Sequence, residues 1–130
     1  MCLDHLIKLD KRSQTLIKRG FGWRVFGKNY KGELLSTLQG NFKPMPINRW
    51  LDEKDFRNKE HNKKRYLYIM FRYPYPYGFH IFLTRKDAIA WANETCEYIT
   101  LKVKFKNIVA QGYQDGRKVI VAKNIMILKG

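Results

Sequence analysis

Lys102, Lys104 and Lys106 alternate with Val103 and Phe105 in the run KVKFK. An extended chain sends alternate side chains to opposite faces, so the three amines form a row with steps of about 6.7 Å. Successive phosphates of one nucleic-acid strand are spaced on the same order, and such a row can track a polyanion backbone. The same pattern suits the solvent face of a half-buried strand, where lysines also guard sheet edges. More cations gather in RNKEHNKKR, where Arg57, Lys59, Lys63, Lys64 and Arg65 meet only Glu60 as an offset. No large apolar side chain anchors that run, which reads as an exposed loop suited to ordering by a partner.

Aromatic residues sit beside these charges. Tyr66, Tyr68, Tyr73, Tyr75 and Tyr77 accompany Arg72 and follow the basic loop. A ring takes a stacked base while a neighbouring cation neutralises phosphate, and each stacked base is worth about 1–3 kcal/mol. Tyrosines on strands also pack at core edges with their hydroxyls in water. Pro74 and Pro76 interrupt pairing, so Tyr75 and Tyr77 are the members expected to stay exposed.

His80 is the candidate for catalysis. A metal-free ribonuclease needs a general base near neutral pH, an acid for the leaving oxygen and a cation for the charged intermediate. His80 could serve as base, with Arg85, Lys86 or a tyrosine supplying the rest; a lone histidine is more often structural. His5 and His61 lie in weakly patterned segments. Cys2, Cys96 and the three histidines have no metal-ligand spacing, and no phosphate-loop, dinucleotide or nucleophile-elbow motif is present. No metal or cofactor is expected.

The totals point the same way. Twenty-six Lys and Arg against eleven Asp and Glu leave +15 on 130 residues. Self-repulsion on that scale opposes compaction, and binding a polyanion is the usual reason for it. At 45% hydrophobic and 15% aromatic the chain is expected to fold, as one domain of this length. No apolar run approaches the roughly 18–20 residues that span a bilayer, and MCLDHLIKLDKR is not a secretory signal. Two cysteines make no disulfide framework, so reduced thiols in a cytoplasm are expected.

The positioning elements centre on YGFHIFLTRKDAIAWA, from Tyr77 to Ala92. Phe79, Ile81 and Leu83 share one face of a strand, with His80 and Phe82 on the other. Thr84 caps the following helix, expected over about 84–96, with Asp87 at its third position and Ala88, Ile89, Trp91 and Ala92 on its apolar side. Residues 1–20 read as a short helix or a basic arm, Leu3, Leu6 and Ile7 having helical spacing. FGWRVFGK has strand alternation, Trp23 and Val25 against Gly22, Arg24 and Phe26. Asn29 to Gly32 turns it into a second strand around Glu33–Leu38. Asn48 is expected to cap a short helical turn holding Trp50, Leu51 and Phe56. YLYIMFRY reads as a strand. Further strands are expected at Tyr98–Lys106, Ile108–Tyr113, Arg117–Ala122 and Ile125–Leu128, with a hairpin turn at Gln114-Asp115-Gly116. The sum is an α+β domain over 21–130, a strongly bent antiparallel sheet of about six strands packed on one main helix.

Gly-Trp-Arg-Val-Phe (22–26), Tyr-Gly-Phe-His-Ile-Phe (77–82), Ala88, Val103, Val109-Ala110-x-Gly112 and Val121-Ala122-Lys123 together resemble small proteins of phages and mobile elements. Those share a glycine–aromatic–His–x–aromatic strand before a helix, then a terminal β-meander. The resemblance implies a viral or prophage origin and action in a bacterial cytoplasm, and it brings no reaction. By analogy, a basic phage domain of this size is similar to inhibitors of nucleic-acid-guided host defence such as anti-CRISPR proteins. The expectation is a protein that binds RNA or single-stranded DNA, alone or in a host ribonucleoprotein. The alternatives are a ribonuclease or RNA-modifying enzyme using His80, and an inhibitor docking on an acidic protein surface.

Overall fold

The computed structural model describes residues 3, 5–36, 43–56, 78–95 and 98–129. Along the chain run β1 (His5–Leu6), α1 (Lys11–Lys18), β2 (Phe21–Lys28), β3 (Leu34–Ser36), β4 (Trp50–Asp52), a 3-10 turn (Glu53–Asp55), β5 (Phe79–Phe82), α2 (Arg85–Thr95), β6 (Ile99–Gln114) and β7 (Arg117–Ile127). The strands form one sheet and every pairing in it is antiparallel. This is the α+β domain that the alternation and the capped helix predict.

The bend is strong enough to close the sheet. β6 pairs with β2 through Ile99–Lys104 on one edge and with β7 through Val103–Gln114 on the other. β5 pairs with β7 and also meets β2 at Trp23 and Phe82, which completes a ring of β2, β5, β7 and β6. Closure leaves those four strands few free edges. It depends on Gly22: a Cβ there would stand 2.4 Å from Ile81 Cγ2 and 2.9 Å from the Phe82 carbonyl oxygen. No side chain larger than hydrogen fits that seam.

Alternation then sorts the side chains. Phe26, Leu51, Phe79, Ile81, Val103, Phe105, Ile120, Ile125 and Ile127 point into the ring and build its core. Each large aliphatic fully buried there contributes about 1.5–3 kcal/mol. Leu9, Leu16 and Ile17 of the α1 unit pack on that core. The Gln111 side chain accepts from Leu9 N–H at 2.9 Å and from Gln14 Nε2 at 2.6 Å, which ties the unit to β6. The opposite faces of the strands carry Val25, Phe82, Val119 and Val121, and α2 covers these with Ala88, Trp91 and Ala92. Thr84 Oγ1 accepts from Asp87 N–H at 3.2 Å, the expected cap. The helix therefore packs outside the ring.

Several local expectations change. Leu3 is buried, but His5–Leu6 is a strand on β6, and Leu6 and Ile7 are exposed. The helix starts at Lys11, where Asp10 accepts from Ser13 N–H and a run free of Pro and Gly follows. Trp50 and Leu51 are in a strand, since pairing with β7 outweighs the local turn signal; Asp52, not Asn48, caps the 3-10 turn. The expected short strands at the C-terminal end are two long ones. β6 passes through Asn107, with φ of 60°, and an irregularity between Ile108 and Ala110, where it bends without breaking. The NYKG turn into β3 is as expected, with Asn29 Oδ1 accepting from Lys31 and Glu33 N–H. Asp115 and Gly116, at φ of 51° and 76°, make the β6–β7 hairpin turn. The strand expected at YLYIMFRY lies outside the described residues.

Candidate nucleic-acid interface

Val103 and Phe105 point into the ring, so Lys102, Lys104 and Lys106 must point out, and all three are exposed. The ladder decides what stands beside them. Paired residues of neighbouring strands share a face. Phe21 of β2 is opposite Lys104, Lys104 is opposite Met126 of β7, and Met126 is opposite Trp50 of β4. One row of side chains thus crosses four strands. With about 4.8 Å between neighbouring strands, Phe21 and Trp50 stand roughly 14 Å apart at its ends. A second row pairs Trp23 with Lys102, and a third pairs Lys106, Asn124 and Asp52.

The amines lie on the rings. Lys102 Nζ is 4.6 Å from the Phe21 centroid and 5.9 Å from that of Trp23. Lys104 Nζ is 6.0 Å from Phe21, and Lys106 Nζ is 4.1 Å from Trp50. Each falls within reach of the ring quadrupole, a contact worth about 0.5–1 kcal/mol where exposed. Trp50 is 41% exposed, and Phe21, Trp23 and Met126 are half-buried. The one carboxylate in the three rows is Asp52, whose Oδ1 accepts from Lys54 N–H at 3.1 Å. The face therefore offers positive charge and flat apolar surface together. Chemically it can neutralise phosphates and stack bases.

Of the other candidates, Arg85, Lys86 and His80 are among the described residues, and none of the three is on the lysine row. Arg85 and Lys86 are exposed on the first turn of α2, on the helix-covered part of the sheet. Arg57, Lys59, Lys63, Lys64, Arg65, Arg72, Tyr75 and Tyr77 lie outside the described residues. His80 is 5% exposed, in the middle of β5 and opposite Val121, on the outward side that also carries Phe82. Its backbone carbonyl accepts from Arg24 Nη1 at 2.8 Å. An imidazole so enclosed meets no polymer without movement of its surroundings. Among the described residues no group of three or more His, Cys, Asp or Glu is placed to hold a metal ion, and no helix is long and apolar enough to cross a membrane.

Arg24 shares the inward face of β2 with Gly22 and Phe26, and is 4% exposed. Its guanidinium lies 5.2 Å from the Phe79 centroid and 5.7 Å from that of Phe26. Burial lowers its pKa to about 10, against an opposing pull from the charge of Glu53, itself 5% exposed. The cation thus belongs to the interior and not to the binding face.

The aromatic members of the face, Phe21, Trp23 and Trp50, were not singled out by the sequence for binding. The alternation of FGWRVFGK does place Phe21 and Trp23 on one face, but their lysine neighbours are some eighty residues away and only the register joins them. No protein-family model, curated protein or solved structure matches the chain.

Proposed function

We propose that this protein binds single-stranded nucleic acid, RNA above all, along the outward face of β2, β6, β7 and β4. What carries the reading is the interleaving of Lys102, Lys104 and Lys106 with the rings of Phe21, Trp23 and Trp50. A duplex hides the faces of its bases, so stacking rings suit an unpaired strand. An acidic protein surface would be served by the lysines alone; the rings favour the polymer. In the free protein each ring carries an amine, and a bound strand replaces that contact on both sides: the amine moves to a phosphate and the ring to a base. At about 14 Å from Phe21 to Trp50, two stacked bases bracket a stretch of roughly two or three nucleotides. The resemblance to phage and mobile-element proteins extends the proposal to strands held in host guide complexes, where occupancy would inhibit.

Fluorescence anisotropy with a labelled oligoribonucleotide, its DNA counterpart and a duplex tests this. Tight binding of the single strands at low salt, with the duplex weaker, is the expected result. Equal affinity for duplex and single strand would remove the stacking argument, and no binding of any of the three at low salt would remove the reading altogether.

A further inference from the structure

Trp50 faces two ways in the fold. Besides carrying Lys106, it lines a cleft of about 260 Å³ together with Lys43, Arg49, Asp52, Asp55 and Phe56. That volume lies below the roughly 300–1,000 Å³ of pockets for drug-sized ligands, and suits one base better than two. The cleft is built by the turn into β4. Asn48, at φ of 59°, donates its N–H to the Ile127 carbonyl at 2.8 Å, and β4 then pairs with β7. Leu51 and Phe56 are buried beneath it, so the floor is part of the core. Lys43 Nζ stands 5.4 Å from the Phe56 centroid, and Lys43, Arg49 and Asp55 are exposed at the rim.

The lining is mixed in a way that the lysine row is not. Two carboxylates beside a phosphate track repel it unless the ligand also brings donors. Asp52 uses one oxygen to cap Lys54 N–H, but a carboxylate has about four lone-pair positions, so that bond does not fill it. Among the bases, guanine offers two adjacent donors on one edge, N1–H and the 2-amino group, which match the two oxygens of a carboxylate. Uracil offers one N–H on that edge, and adenine and cytosine an amino group beside an acceptor. A ring to stack on, cations for the flanking phosphates and carboxylates for a donor edge are the parts of a base-reading subsite.

We propose that this cleft is a guanine subsite at the β4 end of the lysine row, with Asp52 and Asp55 reading the base edge and Lys43 and Arg49 holding its phosphates. The inference rests on the single-strand reading above, and its test separates the two. Labelled oligouridylates of about ten nucleotides, each with one U replaced by G, A, C or inosine, are titrated at fixed salt against the wild type, Asp52→Asn, Asp55→Asn and the double variant. Asparagine caps as well as aspartate does, so the turn is retained.

Guanine should bind about tenfold tighter than U at that position, and inosine, lacking the 2-amino group, should lose most of the gain. The double variant should lose the preference while binding plain oligouridylate more tightly than the wild type, because the two charges that repel phosphate are gone. Equal affinity for all bases, a preference for another base, or a guanine preference that survives in the double variant each overturns the subsite while the polymer-gripping face stands. Failure of every oligomer to bind at low salt overturns both.

Discussion

Replacing Arg24 tests how a charge is kept inside the ring. Burial holds its guanidinium at about 10, well below the usual arginine range, with Glu53 opposing the fall. At about 1.4 kcal/mol for each factor of ten, the cation is about 3 kcal/mol worse off there than in water. The cost is in force below pH 10. It lifts as the pH rises above 10, because there the unfolded chain still holds a proton that the folded chain has released. Arg24→Met removes the cost, but it leaves Glu53 buried without the opposing charge and takes the donor from the His80 carbonyl. Breaking a buried pair in this way costs about 3–5 kcal/mol, and Glu53→Met should cost a similar amount from the other side. Arg24→Met with Glu53→Met leaves neither charge, and should return to the wild-type stability or exceed it by about 1–4 kcal/mol. Urea unfolding of the four proteins at neutral pH gives the coupling directly. Single losses that simply add in the double variant would refute the compensation.

Gly22→Ala should destabilise by about 1–3 kcal/mol or more, because its Cβ meets Ile81 and the Phe82 backbone at the seam, whereas Gly27→Ala in the same strand has only ordinary contacts at 3.8–3.9 Å and should change little in a thermal melt. The Asp10 carboxyl, held at about 2 by its bonds from Ser13 and Lys118, contributes stability that is full above pH 3.8 and lost as the pH falls through 2. An NMR titration should place that midpoint, and Asp10→Asn should remove this part of the acid limb. Trp50→Ala should weaken single-strand binding about tenfold in an anisotropy titration while leaving its salt dependence unchanged, since a ring neutralises no phosphate.

What was legible was local. The Thr84 cap, the NYKG and Asp115-Gly116 turns, the apolar sides of β5 and of the second helix and the outward lysines of β6 each depend on residues a few positions apart. The rest is set by pairing across long separations. Nothing near Asn107 says that the strand continues through it, because a bulge is stabilised by the partner strand on which it bends. Trp50 has the neighbours of a helical turn, and only β7 holds it extended. Arg24 sits in an alternation that both faces of a sheet satisfy, so its inward position follows from closure and not from the pattern. The candidate site divides in the same way: the three lysines were visible, while Phe21, Trp23 and Trp50 join them only through the register.

The number of phosphates released from their counterions by the lysine row is the most direct measure of the account. Binding of a labelled single-stranded RNA is followed across salt for the wild type and for Lys102→Gln, Lys104→Gln and Lys106→Gln combined. The slope of log K against log salt should become shallower by about 2, at roughly 0.7 per phosphate contact for three contacts. A triple variant with an unchanged slope and affinity would place the polyanion elsewhere on the protein and contradict the central claim.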